Sequence, residues 1–310
     1  MRPTHRRGSM VRILATVIGL LVIAPQVVQA RAFSPWSTAV LEAGVNSPAA
    51  DGCPIESPSG LQLYLASNRD PIGGATDSND IWVAERSSID APFGPVVRLP
   101  EPVNSTAADF CPTPLHGLRL LFVSARAVPE ACGAGDIYMT RNSPTRGWIT
   151  PRNLGCAATG AGPNQAGGEF SPSLVATREG TFLYYSSVGA NGLQDIYVSR
   201  EVSEGVFAPG TPVAELNLPG YTDQMPNVDR SGLEMVFVSD RPGGEGLLDI
   251  YASTRASTAD PWSAPVNLGT AVNTPAPESR PSLSGDHQRL HFGRSGDIYV
   301  STRTKVFRAG

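Results

Sequence analysis

A tripeptide of aspartate, isoleucine and an aromatic residue occurs five times in this chain of 310 residues. The copies begin at Asp80, Asp136, Asp195, Asp249 and Asp297. The steps between them are 56, 59, 54 and 48 residues. A repeat of this length is typical of architectures in which each unit is one small supersecondary structure, stacked against its neighbours. The repeat constrains the possible folds more than any other feature of the sequence.

Each repeat contains four short segments with the character of β-strands. The first opens with a proline: Pro54, Pro112, Pro172, Pro226 or Pro281. A polar turn leads to a second, apolar segment such as LRLLFVS at 118–124, and the Asp-Ile-aromatic segment follows. An aromatic residue starts the fourth segment in four repeats: Phe93, Trp148, Phe207 and Trp262. Because the second segments are apolar on both faces, and the units have four strands, the repeats predict stacked β-propeller blades.

The fifth repeat has no fourth segment of its own after Asp297. The stretch PWSTAV at 35–40 supplies one, because it aligns with PWSAPV at 261–266 in the preceding repeat. The stretch that follows it, VNSPAADGCP at 45–54, recurs almost unchanged as VNSTAADFCP at 103–112. We therefore predict that an N-terminal strand completes the last blade and leaves no radial edge open. An open or six-bladed ring is the alternative, but the sequence has no sixth copy of the tripeptide.

The predicted fold is all-β: a five-bladed β-propeller of four-stranded antiparallel blades, formed by a single domain at residues 31–310. The predicted blade boundaries are about 53–97, 111–152, 171–213, 225–266, and 280–303 completed by 35–41.

Residues 1–30 have the pattern of a Sec-type signal peptide. A start with four arginines precedes an apolar run at 13–25, and the small residues Val28 and Ala30 predict cleavage after Ala30. An uncleaved anchor is the alternative, but the run is shorter than the roughly 20 residues that span a bilayer. We therefore expect a periplasmic or secreted protein with no membrane span in the mature chain.

The charge of the predicted mature chain argues against a nucleic-acid partner. Residues 1–30 hold four of the 24 basic residues and no acid, which leaves 20 basic against 28 acidic residues, a net charge of −8. Proteins that bind nucleic acid present a basic face. We expect a monomer with a protein or glycan partner in the cell envelope.

The repeats resemble those of TolB-type, WD-like β-propellers. Blade 4 carries the resemblance most fully, with PWSAPVNLGTAVNTPAPESRPSLSGD, MVFVSDRPGG and LLDIYAS. The resemblance covers 31–303. It implies the propeller fold and says little about activity, because such propellers include scaffolds, envelope proteins and domains attached to enzymes.

One acid stands three residues before each strand-opening proline. We call Asp51, Asp109, Glu169, Asp223 and Glu278 the ring acids. An asparagine precedes each of them: Asn46, Asn104, Asn164, Asn217 and Asn273. Four arginines follow the second strands, and we call Arg69, Arg126, Arg241 and Arg294 the loop arginines. Blade 3 lacks one and has Val188 at that place.

Blade connectivity puts the ring acids and loop arginines on one face near the axis, which makes them candidates for a binding face. A structural role is favoured, because a scaffold requirement recurs with the repeat. The alternative is a site: carboxylates around a channel can coordinate a hard cation such as calcium, or act as the acid and base of glycoside cleavage. Catalysis would require two or three ring acids that face solvent and have no arginine partner. Blade 3 is the place to look for them, since Glu169 and Asp223 flank the blade that lacks the arginine.

The four cysteines, Cys53, Cys111, Cys132 and Cys156, predict disulfides in an exported protein. Pairing 132 with 156 would join two glycine-rich loops, and pairing 53 with 111 would join blades 1 and 2. The inner strands of neighbouring blades are a doubtful place for a bridge, because bridged Cα atoms lie within roughly 7 Å of each other. Other pairings stay open, as do free thiols.

The sequence contains no recognisable catalytic motif, so we assign no catalytic residue, no metal ligand and no cofactor, with calcium as the one exception to test. The favoured function is a non-catalytic binding or scaffold module for a protein or cell-envelope partner. The alternative is a saccharide-binding or glycoside-cleaving propeller that uses axial carboxylates.

Overall fold

The computed structural model describes residues 32–70, 75–189 and 191–306, so the predicted signal peptide lies outside the described residues. Regular structure in these ranges consists of 24 short β-strands and a 3₁₀ turn at Ala157–Thr159. A search of the same ranges finds no helix that is long and apolar enough to cross a membrane.

The first three blades follow one another along the chain. Blade 1 is built from β3 (Asp51–Glu56), β4 (Gln62–Arg69), β5 (Ala75–Glu85) and β6 (Val97–Arg98). Blade 2 is built from β7 (Asp109–Leu115), β8 (Arg119–Ser124), β9 (Asp136–Ser143) and an outer strand in two pieces, β10 (Gly147–Trp148) and β11 (Arg152–Asn153). Blade 3 is built from β12 (Glu169–Thr177), β13 (Gly180–Val188), β14 (Gln194–Ser203) and the outer pieces β15 (Val206–Phe207) and β16 (Thr211–Pro212).

The ring closes through the N-terminal strand, as predicted. Blade 4 is built from β17 (Asp223–Val228), β18 (Glu234–Ser239), β19 (Asp249–Thr254) and β20 (Val266–Asn267). Blade 5 is built from β21 (Glu278–Leu283), β22 (Arg289–Arg294), β23 (Asp297–Thr302) and β2 (Val40–Leu41). A short ladder between β1 (Ala32–Phe33) and β24 (Lys305–Val306) lies beside this closure. The five-bladed, four-stranded antiparallel fold is therefore confirmed.

Polar side chains reinforce the closure. The Glu42 carboxylate lies 3.0 Å from the His291 ring, and the Arg303 guanidinium lies over the rings of Phe33 and Trp36 at 4.1 and 4.3 Å. The N-terminal segment is thus held by more than the two-residue ladder of β2.

The hydrophobic core lies between the blades. Five clusters of buried side chains occur, and each joins two neighbouring blades. The cluster between blades 1 and 2, for example, packs Ile81 and Tyr64 against Leu120 and Phe122. Burying a side chain of this size contributes roughly 1.5–3 kcal/mol. A single blade could not bury both of its apolar faces, which explains why the second strands lack alternation.

The innermost strand of every blade carries a bulge at the same place. Its third residue has a positive φ angle, and the five residues are Cys53, Cys111, Ser171, Met225 and Arg280. The pairing with the second strand shifts at this point in each blade. A positive φ in a residue other than glycine is uncommon, and its fivefold recurrence makes it part of the blade design.

The five asparagines join the loop after each outer strand to the third strand of the same blade. In blade 1, Asn104 Oδ1 accepts a hydrogen bond of 2.7 Å from the Ile81 amide, and its Nδ2 donates to the Ile81 carbonyl at 2.9 Å. The same reciprocal pair forms at Asn46, Asn164, Asn217 and Asn273. These asparagines are structural.

Candidate functional site

Four of the five ring acids form ion pairs with the loop arginine of their own blade. The pairs are Asp51–Arg69, Asp109–Arg126 (2.7 Å), Asp223–Arg241 and Glu278–Arg294 (2.8 Å). The side chains of all four acids are 0% exposed. The structure therefore brings these predicted residues together, and it leaves the four carboxylates covered.

Blade 2 shows how such a pair fixes the loops. Arg126 Nη2 donates to Asp109 Oδ1 and to the Val103 carbonyl, both at 2.7 Å, and its Nε donates to Ser124 Oγ at 2.7 Å. The second oxygen of Asp109 accepts hydrogen bonds from the amide and hydroxyl of Ser105, at 2.6 and 2.7 Å. Both oxygens of the carboxylate are therefore hydrogen-bonded to groups of the surrounding loops, as a structural role requires.

Aromatic rings of the same blade lie beneath each loop arginine. The rings are Trp82, Phe122, Tyr138, Phe237, Tyr251, Phe292 and Tyr299, at 4.6–5.4 Å from the guanidinium carbon. Each guanidinium is therefore held by the ring acid, a loop carbonyl and an aromatic face.

Blade 3 breaks this arrangement. In blades 1, 2 and 4 the arginine stands two residues after a serine that pairs with the ring acid. In blade 3 that serine is Ser187, opposite Glu169, so Gly189 occupies the position of the arginine. The assignment of this position to Val188 is wrong by one residue. No side chain at this position reaches the carboxyl.

Glu169 is consequently a buried acid that has no cationic partner among the residues the structure describes. Its Oε1 accepts hydrogen bonds of 2.9 Å from Ser187 Oγ and from the Gln165 amide. Its Oε2 is buried and has no hydrogen-bond partner among the described residues. Burial raises the pKa of Glu169 from 4.5 to about 8, against the opposing effect of the two hydrogen bonds. The side chain therefore holds its proton at neutral pH.

In the other blades the loop arginine donates both to a loop carbonyl and to the ring acid. In blade 3 a tyrosine takes over only the hydrogen bond to the carbonyl. The Tyr185 hydroxyl donates to the Pro163 carbonyl at 3.1 Å. In the other blades the matching carbonyl accepts from the loop arginine: Val45, Val103, Leu216 and Val272. The strand position of Tyr185 holds Leu65, Phe122, Phe237 or Phe292 in those blades. The Tyr185 hydroxyl satisfies the Pro163 carbonyl, whereas Glu169 Oε2 has no donor among the described residues.

A cleft of about 550 Å³ opens on this face between blades 3 and 4. Its lining residues are Val188, Gly192, Gln194, Thr222, Gln224, Asp240, Gly246, Leu247 and Leu248. They come from the loops after β13 and β18 and from the start of β17, so the cleft adjoins the position of the missing arginine.

The cleft combines unpartnered acceptors with an apolar rim. The Oε1 atoms of Gln194 and Gln224 are buried and have no hydrogen-bond partner within the described part of the chain. The Asp240 carboxylate accepts one hydrogen bond, from the Thr222 amide at 2.7 Å. Leu247 is 68% exposed. A ligand that donates several hydrogen bonds and offers an apolar face would complement this surface.

Sequence reasoning did not single out Gln194, Gln224 or Asp240. Gln194 directly precedes the Asp-Ile-aromatic tripeptide, where the other blades have Asn79, Gly135, Leu248 and Gly296. Gln224 directly follows a ring acid. The signal that could have found them is a residue that differs between repeats while its neighbours stay constant.

Both disulfides form between the predicted candidates. Cys132 and Cys156 have Cα atoms 5.4 Å apart and join the two glycine-rich loops. Cys53 and Cys111 have Cα atoms 4.9 Å apart and join the inner strands of blades 1 and 2. The doubt about inner strands is thus wrong: both cysteines are the positive-φ bulge residues of their strands, and their Cα atoms lie within bridging distance. Disulfides are consistent with an oxidising compartment outside the cytoplasm.

The calcium hypothesis finds no ligand set. Within 32–70, 75–189 and 191–306, no three histidine, cysteine, aspartate or glutamate side chains come together as a metal site. Four of the five ring acids that would have formed one pair with arginines instead.

No protein-family model matches the chain, and no curated protein matches it. Solved structures do match. The catalytic domain of a GH62 α-L-arabinofuranosidase from Coprinopsis cinerea shares 13% identity, with 87% of this chain and 97% of that chain covered and a TM-score of 0.55. An endo-arabinase from Bacteroides thetaiotaomicron shares 12% identity, with 90% and 98% covered and a TM-score of 0.52. TolB from Acinetobacter baumannii shares 14% identity, with 84% and 56% covered and a TM-score of 0.46.

These matches contradict the predicted non-catalytic scaffold. Five glycoside hydrolases are among the similar structures, with TM-scores of 0.51–0.55. At 11–13% identity they establish the shared five-bladed fold. The scaffold hypothesis is wrong, and a glycan partner is consistent with these neighbours.

Proposed function

We propose that the protein is an exported, glycan-acting propeller that binds a saccharide in the cleft between blades 3 and 4 and cleaves a glycosidic bond there. The observation that supports this most directly is the loss of the acid–arginine pair in blade 3, beside a cleft of about 550 Å³. A structural pair is repeated in the other four blades, whereas a site for chemistry is needed only once.

The polarity of the cleft supports a saccharide. Asp240 presents an exposed carboxylate, and the amide oxygens of Gln194 and Gln224 lie buried in the wall behind the surface; all of these groups accept hydrogen bonds. Sugar hydroxyls are donors that match them. Leu247 and Leu248 supply an apolar wall for the C–H face of a sugar ring. The loop arginine of blade 4, Arg241, is paired with Asp223.

The proposed chemistry divides two roles between two carboxyl groups. Glycoside hydrolysis needs one protonated carboxyl to protonate the leaving oxygen and one carboxylate as nucleophile or base. Glu169 holds a proton at neutral pH, and its partner Ser187 precedes Val188 of the cleft wall. The residue is 0% exposed, so the proposed acid role requires substrate binding to uncover it. Asp240 is the exposed carboxylate of the wall. Of the axial carboxylates that the sequence offered for glycoside cleavage, this proposal keeps only the ring acid Glu169 and adds Asp240 from the loop after β18.

The experiment is a hydrolysis and binding screen of the chain from residue 31 against arabino- and xylo-oligosaccharides, chosen because the similar structures include an arabinofuranosidase and an endo-arabinase. We expect turnover on at least one substrate. Loss of a general acid or base lowers rates by roughly 10²–10⁴-fold, so Glu169→Gln and Asp240→Asn should each lose at least that much. Glu204→Gln, on an exposed glutamate of the β14–β15 turn, is the matched control.

Saccharide binding without turnover would remove the catalytic half of the proposal. Neither turnover nor saturable binding across the panel would overturn it entirely. Equal losses in Glu204→Gln would show that the substitutions act through stability.

A further inference from the structure

The face of the propeller opposite the ring acids has one basic sector, in blade 2. Each blade turns twice at this face, after its first strand and after its third. In blade 2 these hairpins, at 114–119 and 140–149, contain no acid and three arginines, which we call the blade 2 arginines: Arg119, Arg141 and Arg146. The matching hairpins of every other blade contain an acid, such as Glu85, Glu179, Glu234 and Asp286.

Two of the blade 2 arginines lie directly opposite each other. Arg119 on β8 and Arg141 on β9 are Cα partners in the strand ladder. Their side chains therefore leave the same face of the sheet about 5 Å apart, where like charges destabilise a pair. The same ladder position in the other blades holds pairs without two like charges: Gln62–Glu85, Phe182–Arg200, Glu234–Thr254 and Arg289–Thr302.

The neighbouring blade supplies no counter-charge to this pair. In blade 5 the residue equivalent to Arg119 is Arg289, which pairs with Glu56 of the next blade at 2.7 Å. The position of Glu56 is occupied by Leu174 in blade 3, which is the blade that follows Arg119. Arg119 Nε donates instead to the His116 carbonyl, at 3.3 Å. Within 32–70, 75–189 and 191–306, none of the blade 2 arginines forms an ion pair.

The blade 2 arginines form an open row on the surface. Arg141 and Arg146 are exposed, and Arg119 is partly exposed. They follow one another outward along the blade, from β8 to β9 and then to the turn before β10, and neighbouring strands lie roughly 5 Å apart. Such a row matches an extended polymer with an anionic group at each repeat, because successive charges can meet successive arginines.

We propose that the blade 2 arginines bind an extended acidic polysaccharide through its carboxylate groups. Guanidinium groups bind carboxylates through two parallel, charge-assisted hydrogen bonds. The acids elsewhere on the chain are screened beyond about 10 Å at 0.1 M salt, so the local row determines this contact. The choice of a saccharide among polyanions rests on the proposed glycan-acting function. The surface itself is separate from the cleft between blades 3 and 4, whose loops lie on the opposite face.

The test measures binding of the chain from residue 31 to polygalacturonate, with neutral dextran as the comparison polymer. Binding to polygalacturonate should be saturable at about 0.05 M salt and should weaken strongly at about 0.5 M. Arg141→Gln/Arg146→Gln should raise the Kd about tenfold or more, because two charged donors are lost.

The matched control is Arg178→Gln/Arg200→Gln, which removes two exposed arginines from the hairpins of blade 3, where Glu179 and Glu201 are their sequence neighbours. Its Kd should stay within about twofold of the wild type, as expected for exposed charges that make no contact with the polymer.

Failure of this proposal and failure of the proposed function give different results. The Arg141→Gln/Arg146→Gln variant should hydrolyse short neutral oligosaccharides at the wild-type rate, because these bind in the cleft. A wild type without turnover would still report on the arginine row through polygalacturonate. Absence of saturable polygalacturonate binding, or an equal loss in the blade 3 control, would refute the docking surface. Equally tight binding to phosphatidylglycerol vesicles, lost in the same variant, would refute it as well and assign the row to a membrane surface.

Discussion

Blades 2 and 3 are neighbours on the same four-strand plan, and they treat one carboxyl position in opposite ways. Asp109 is held between Arg126 and its own loop, with both carboxylate oxygens hydrogen-bonded. Glu169 has no cation and one oxygen without a partner in the described ranges, so it retains a proton. The ring-acid position can therefore stabilise the loops in most blades and be available for a different function in one blade.

The largest expected effect comes from breaking the pair in blade 2. Arg126→Met leaves the Asp109 carboxylate buried without its cation. Breaking a buried ion pair in this way costs about 3–5 kcal/mol, and urea unfolding at pH 7 measures it. Arg294→Met in blade 5 should behave alike. A loss below about 1 kcal/mol in both variants would mean that the ring acids do not pin the loops.

The second test asks whether Glu169 titrates as a buried acid. Its pKa is about 8 in the native protein and 4.5 as the unperturbed value, so the native state binds more protons between these values. Stability from this group is therefore fully present below about pH 4.5 and is lost as pH rises to about 8. Glu169→Gln should remove this loss, and it should exceed the wild type by on the order of 3 kcal/mol at pH 9, with little difference at pH 4.

Urea unfolding of both proteins from pH 4 to 9 checks this prediction. Parallel profiles would show that Glu169 ionises normally and would remove the main contrast with Asp109.

The third test concerns the Tyr185 hydroxyl, which makes the hydrogen bond to the loop carbonyl that an arginine makes in the other blades. Tyr185→Phe recreates the phenylalanine of blades 2, 4 and 5 but leaves the Pro163 carbonyl without a donor. We expect a cost of about 1 kcal/mol, seen as a Tm lower by a few degrees. Tyr184→Phe is the control, because no hydrogen bond of its hydroxyl occurs among the described residues. Equal effects of the two changes would deny Tyr185 a special role.

The smallest effect is expected from restoring the repeat. Gly189→Arg places a guanidinium near Glu169, although its Cβ would come within 3.1 Å of Asn191 Oδ1. The gain should be about 0.5–1 kcal/mol at pH 8 and should vanish in the Glu169→Gln background, as a double-mutant cycle can measure. The same change should block the cleft and suppress saccharide binding. A gain that persists without Glu169 would come from elsewhere.

Repetition explains which features the sequence could predict. Five copies of the tripeptide showed the strand order, the blade count and the closing role of residues 35–41, because each copy checked the others. The ring acids and loop arginines were found in the same way. The fold and the partners of four ring acids were therefore accessible without a structure.

Features that occur in only one blade, or between only two blades, could not be predicted from the sequence. The bridge between Cys53 and Cys111 depends on bulges whose positive φ angles leave no clear mark in the residue types. From the sequence, the position of the missing arginine was placed at Val188 instead of Gly189, because only the strand register identifies the equivalent residue. Gln194 and Gln224 matter through burial and missing partners, which are properties of packing. Single departures from a repeat need coordinates to be interpreted.

The closing strand has a consequence for the order of synthesis. Val40 pairs with Val300, so a segment near the start of the chain waits for one made about 260 residues later. Until then blade 5 has an open edge, and the axial ring lacks Arg280. Folding is therefore finished only when nearly the whole chain has been translated, and contacts this distant in sequence are slow to form. Because β1 pairs with β24, a circular permutant that joins these strands and opens at the loop after β16 would bring the closing partners close together in sequence. Such a chain should complete its ring sooner.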